Sequence, residues 1–243
     1  MTAPAFAALI GIVFALPAPA LAEIYGDPDT PIAGQVLGTM VHTTDADELR
    51  YVVLKRLTDR YAAQHEITVT QAEKDAYVDH LTRTMARDRK EKEARRDELQ
   101  RRLASRDLTD TERQSLASEL DTLIQLLTSL GEIADSAVQD PAEAEAAHQQ
   151  VADAFILQWK INRALYRQYG GRIGFQQGGP EPLDAYRQFL EESQAQGDFE
   201  ILDKALADDF WRYYKNESIH SFYPPGSDEE ARAFATPWWE EDP

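Results

Sequence analysis

Cysteine is absent from all 243 residues. Its absence removes disulfides, thiolate metal sites, thiol nucleophiles and any lipid anchor carried by a cysteine behind a cleaved leader. Stability must come from packing. Positive charge is scarce too: 25 Lys and Arg stand against 43 Asp and Glu, a formal net charge of −18. That balance argues against nucleic acid as a partner, because phosphate binding needs net positive surface. Long apolar runs are lacking as well. The longest uncharged apolar run, Phe6 to Leu16, has 11 residues, whereas a helix that spans a bilayer needs roughly 20.

Enzyme signatures are also missing. The five histidines (His42, His65, His80, His148 and His220) show no i,i+4 pair around a glutamate, the spacing zinc hydrolases use. Gly170-Gly171 closes a helical pattern instead of opening one, and Gly178-Gly179 precedes Pro180, so neither makes a phosphate loop. No G-x-S-x-G nucleophile elbow occurs. Asp27 and Asp29 are not followed by a loop with the full calcium-ligand spacing. Carboxylate pairs such as Asp208-Asp209 and Glu191-Glu192 read as solvated faces in so acidic a chain. The sequence therefore predicts no catalytic residue, no cofactor and no metal.

What is present begins with an address. The Phe6–Leu16 run is followed by Pro17, Pro19 and then Ala20-Leu21-Ala22, an apolar core followed by a small-residue cleavage site. Residues 1–22 read as a signal peptide cut after Ala22, which puts the mature chain in the periplasm with no stable membrane insertion. An uncleaved anchor is the alternative, since no Lys or Arg precedes the apolar run. The mature chain keeps the whole charge of −18.

Residues 23–44 are rich in Gly, Pro and Asp and read as an extended lead-in, with a β-like stretch at Ile32 to Val41. Helix starts then recur. Asp45 with Glu48, Thr70 with Glu73 and Thr109 with Glu112 have capping-box spacing. Asp140-Pro141 with Glu143 supplies a cap, a first-turn proline and an acidic third position. The first helix carries Leu49, Val52, Val53, Leu57 and Tyr61 as one stripe and is expected to end near His65. From Arg83 to Arg106 the chain turns basic, with ten Lys or Arg and five Asp or Glu, a local +5 against −23 elsewhere. Leu116, Leu120, Leu123, Leu127 and Leu130 follow at 4-3-4-3 spacing, a coiled-coil seam. Two long helices with a short connection run antiparallel, which predicts a charged helical hairpin with its tip near Arg106 to Asp110. Its seam suits closure on its own chain or in a homodimer equally well. Arg95, Arg96, Arg101 and Arg102 are its candidate docking residues.

The second half predicts a core helix with Val151, Phe155, Ile156, Trp159, Leu165 and Tyr166, ending at Gly170. Two further helices are expected at Leu183 to Gln196 and Phe199 to Asn216. The Trp238-Trp239 pair favours a docked C-terminal strap. The predicted class is all-α: a leader over 1–22, a helical segment over 23–82, a hairpin arm over 83–136, and a helical segment over 137–243 that completes the body.

Ala46 to Val78 resembles the N-terminal chaperone domain of SurA-type, parvulin-related periplasmic proteins. Leu54 and Leu57 lead into Ala63, Ile67, Val69, Thr70 and Glu73, matching a helix that ends A-x-x-x-G-I-x-V-T and reopens with a capped helix. The glycine before the isoleucine is missing, with His65-Glu66 in its place. No parvulin isomerase unit follows. The resemblance implies a helical, ATP-independent holdase for unfolded envelope or outer-membrane proteins. Trp159, Tyr166, Phe175, Phe210, Trp211 and Tyr214 are the candidate client-binding aromatics. The alternatives are an envelope assembly protein that docks one partner through the arm, and a peptidyl-prolyl isomerase by family association.

Overall fold

A computed structural model describes residues 23–176 and 179–240, with the backbone alone for 133–139. The expected signal peptide lies outside the described residues, as does Gly178 of the Gly178-Gly179 pair. The expected all-α class is overturned. Helices dominate, but a four-stranded mixed sheet and a two-stranded sheet stand among them.

The lead-in folds as strands β1 (Ile24–Tyr25), β2 (Ile32–Val36) and β3 (Thr39–His42). β2 and β3 form an antiparallel hairpin through Leu37 and Gly38, at φ 49° and 81°. Two positive φ values in succession define the turn whose twist matches paired strands. β1 joins β3 in parallel at one edge. The opposite edge is filled from far along the chain by β6 (Phe199–Ile201), antiparallel to β2. Gly34 permits that pairing, because a Cβ there would lie 2.3 Å from the Glu200 carbonyl oxygen. β6 lies inside the stretch predicted as one helix from Phe199. A three-residue strand has too few side chains to show a period of two, and its pairing partner is about 165 residues away.

Helix α1 (Ala46–Gln64) opens as the sequence predicts, with the Asp45 carboxylate accepting from the backbone N–H groups of Asp47 and Glu48. It ends in a Schellman motif: Ile67 N–H bonds to Ala62 C=O at 2.9 Å and Glu66 N–H to Ala63 C=O. α2 (Gln71–Leu103) starts with a reciprocal Thr70–Glu73 capping box. α3 (Asp110–Gln139) returns beside it, so the hairpin tip falls at 104–109. α4 (Pro141–Tyr169) is capped by Asp140. Next come the hairpin β4 (Gly174–Gln176) and β5 (Gly179–Glu181), then α5 (Leu183–Ala195), β6, α6 (Lys204–Lys215) and the short α7 (Asp228–Arg232).

Two apolar clusters hold the body. The larger one joins Val36 and Val41 of the sheet to Leu49, Val53 and Leu57 of α1, Leu165 of α4, and Tyr186, Leu190, Phe199 and Phe210 of the second half. Segments on both sides of the arm thus share one core and one sheet. The smaller cluster docks the C-terminal strap: Phe234 and Trp239 pack on Tyr77 of α2 and on Ala152, Ile156 and Trp159 of α4. Trp239 is 2% exposed.

Candidate functional site

Burial sorts the aromatic candidates. Phe210 and Tyr214 lie inside the main core and Trp159 inside the strap cluster, so they present no face to a client. Tyr166 and Trp211 are half-buried against those clusters. Phe175, on β4, is exposed and meets Tyr223 edge-on. The six do not form one surface.

A different apolar surface does exist, along the outer face of α1. Tyr51 is 60% exposed and stands between two depressions. One, of about 430 Å³, is lined by Tyr25, Leu37, Tyr51 and Val52, with Lys55, Arg56 and Asp59 on its rim. The other, of about 310 Å³, lies between α1 and α4 and is lined by Leu54, Thr58, Ala154, Leu157 and Ile161 with Tyr51 again. Together they make a trough from the sheet edge to α4. Val151 and Phe155 are also exposed on α4, and Phe155 stacks on Tyr77 of α2 at 6.0 Å between ring centroids. Lys55 and Asp59 pair at 2.7 Å across its middle. β1 borders the first depression, and its outer edge carries no strand among the described residues.

Sequence reasoning missed this trough. Tyr51 and Leu54 lie one step off the α1 stripe that reads as core, and the α4 partner is about a hundred residues away. The signal available was a helix with more large apolar residues than one buried face uses.

The arm residues are largely engaged with their own chain. Arg95 grips Glu119 of α3 through Nε at 2.9 Å and Nη2 at 3.1 Å, and bonds Glu98 through Nη1 at 2.9 Å. Those carboxylates raise the Arg95 pKa, and Arg95 in turn holds Glu119 low. Arg96 pairs with Asp97, and Arg101 donates to the Asp97 carbonyl at 3.2 Å. Arg102 is exposed near the tip.

A buried polar cluster lies between α4, β5, α5 and α6. The Glu181 carboxylate accepts from Tyr213 Oη at 3.1 Å. Burial pushes the Glu181 pKa up, against the lowering pull of that hydrogen bond and of His220 and Arg50. The Arg50 guanidinium sits 4.2 Å over the Tyr213 ring. Tyr186 Oη donates to Asn162 and accepts from Gln158 at 2.7 Å. Asn162 itself donates to the Pro180 carbonyl at 3.0 Å. Burial raises the pKa of both Tyr186 and Tyr214. The Tyr214 hydroxyl is buried with no hydrogen-bond partner among the described residues, and the other bonds of the cluster tie the β4–β5 hairpin to the helices around it.

Among the described residues, no three His, Asp or Glu side chains gather as a metal site, and no helix is long and apolar enough to cross a membrane. No protein-family model, curated protein or solved structure matches this chain.

Proposed function

We propose that this protein is an exported, ATP-independent folding factor that holds extended apolar segments of unfolded envelope proteins in the trough along α1. The observation that carries the reading is Tyr51, a large side chain left mostly in solvent between two apolar depressions. Scattered exposed apolar residues are ordinary, whereas two adjoining apolar depressions that share an exposed tyrosine and a bridging ion pair mark a binding surface. The free edge of β1 beside it suits an extended chain, which can add backbone hydrogen bonds there while its side chains enter the trough. Rim charges keep the empty surface soluble.

The resemblance to SurA-type chaperone domains supports the same reading. Glu66 stands where the resembled motif has glycine, and its φ is 53°, the left-handed conformation that glycine favours at a helix end. Glu23, the first residue after the expected cleavage, is already built into the sheet. Its carbonyl accepts from Met40 N–H at 2.9 Å and its carboxylate pairs with Arg56 at 2.8 Å.

The test is dilution of an unfolded outer-membrane porin into buffer holding residues 23–243 without nucleotide. Suppressed aggregation near equimolar ratio, unmatched by an inert acidic protein, is the expected outcome. Unchanged aggregation would remove the proposal.

A further inference from the structure

The arm has an apolar face that its own hairpin leaves half-covered. Along α3 the seam is Leu116, Leu120, Leu123, Leu127 and Leu130, yet only Leu116 is buried, where it meets the end of α2 that carries the buried Leu99. Further toward the body, the half-buried α2 positions that recur at helical spacing are Thr84, Asp88, Lys92 and Arg95. These are polar side chains laid against a leucine row. Thr84 shows the mismatch, since its hydroxyl is buried without a hydrogen-bond partner among the described residues. Ile124 and Leu126, 40% and 42% exposed, lie on opposite flanks of the seam at about 100° per residue. The apolar face of α3 is therefore wider than α2 covers.

Charge indicates what covers it. Residues 83–106 of the α2 side carry +5, whereas residues 110–132 of α3 carry five acidic groups and one arginine, a net −4. Each arm is thus one basic helix beside one acidic helix, and such a pair is complementary to a copy of itself turned through a two-fold axis.

We propose that the arm is a dimerisation element: two copies pack the apolar faces of α3 together with their hairpins antiparallel, giving a four-helix bundle. In that arrangement the basic α2 of each copy lies along the acidic α3 of the other. The two bodies, each strongly acidic, sit at opposite ends of the bundle, where their repulsion is weakest. An extended client segment would bring no matching pattern of charge along the helices. The proposal stands whether or not the α1 trough binds clients.

The chain has no cysteine, so a single introduced thiol reports on one place. Tested singly in residues 23–243, one of Ile124→Cys and Leu126→Cys, whichever flank of the seam faces the second copy, is expected to form oxidised dimers in high yield, while Lys204→Cys, exposed on α6, is not. Light scattering is expected to give twice the mass of one chain. Two charge-reversed variants extend the test without touching the apolar face. Lys90→Glu with Arg101→Glu takes the α2 side from +5 to +1, and Asp121→Lys with Glu132→Lys takes the α3 side from −4 to 0, so each variant loses most of the charge match of a self-pair. Each alone is expected to be monomeric with its helical circular dichroism intact, and an equimolar mixture to restore the dimer mass. A monomeric wild type, or cysteines at 124 and 126 that cross-link only to an added unfolded client, would overturn the proposal.

Discussion

Two carboxylates with opposite pKa shifts make opposing contributions to the pH response of the body. Arg60 of α1 grips Asp198, just ahead of β6, with two hydrogen bonds, one of them at 2.6 Å, and these hold the Asp198 carboxyl below the usual aspartate range. An acid whose pKa is lowered by folding stabilises the native state above its unfolded value, about 3.9, and loses that contribution as pH falls through the folded value. Asp198→Asn is therefore expected to cost roughly 1–2 kcal/mol at pH 7, with the deficit shrinking below about pH 4; urea titrations at several pH values measure it. Glu181 runs the other way. Burial raises its pKa, so its ionised form opposes folding, and that penalty grows as pH rises through the folded value. Glu181→Gln keeps an acceptor for the Tyr213 hydroxyl and removes the charge. The variant is expected to melt higher than wild type at pH 8, with the gain vanishing on acidification. An unchanged difference between the two proteins across that range would show that Glu181 does not titrate in its cluster.

At the scale of elements, what the sequence reveals depends on how local the cause is. Caps are local: a side chain and a backbone N–H three residues apart decide them, and Asp45, Thr70, Thr109 and Asp140 open helices where their spacing predicts. The end of α1 is local in the same way, and Glu66 carries a specific cost there, since a side chain at φ 53° is strained where glycine is not. Glu66→Gly is expected to raise stability by about 1 kcal/mol, read as a shift in the urea midpoint with an unchanged slope. Strands are not local. β6 is three residues long and depends on β2 for its existence, so Phe199, Glu200 and Ile201 read as the start of α6. The β-like run at Ile32 to Val41 was visible, but nothing near it in sequence showed that it had a third and a fourth strand to pair with. The candidate site failed to show for the same reason. Aromatic size picks out Trp159, Phe210 and Tyr214, and these fill the core. Tyr51 gains its meaning from Leu157 and Ile161 across the gap.

The whole molecule is a mixed body closed by residues from both sides of a long two-helix insertion. Its excess of negative charge resides in the body and its positive charge in one arm helix. On the proposed reading, that division separates two tasks on one chain. The trough along α1 is an apolar surface on a self-repelling acidic body, a combination that tolerates contact with unfolded chains without joining their aggregates. The arm, with its paired charges and half-covered leucines, suits the proposed pairing with a second copy. The strap anchored by Trp239 leaves the trough open, because it docks on α2 and α4 through the second cluster. The measurement that tests the central claim most directly is aggregation suppression by residues 23–243 carrying Tyr51→Asp, run beside Phe175→Asp. Both residues are exposed, so both variants are expected to fold as wild type does. Tyr51→Asp is expected to need about tenfold more protein for half-suppression, a loss near 1.4 kcal/mol, while Phe175→Asp matches wild type. Equal activity of Tyr51→Asp and wild type would contradict a client site on α1.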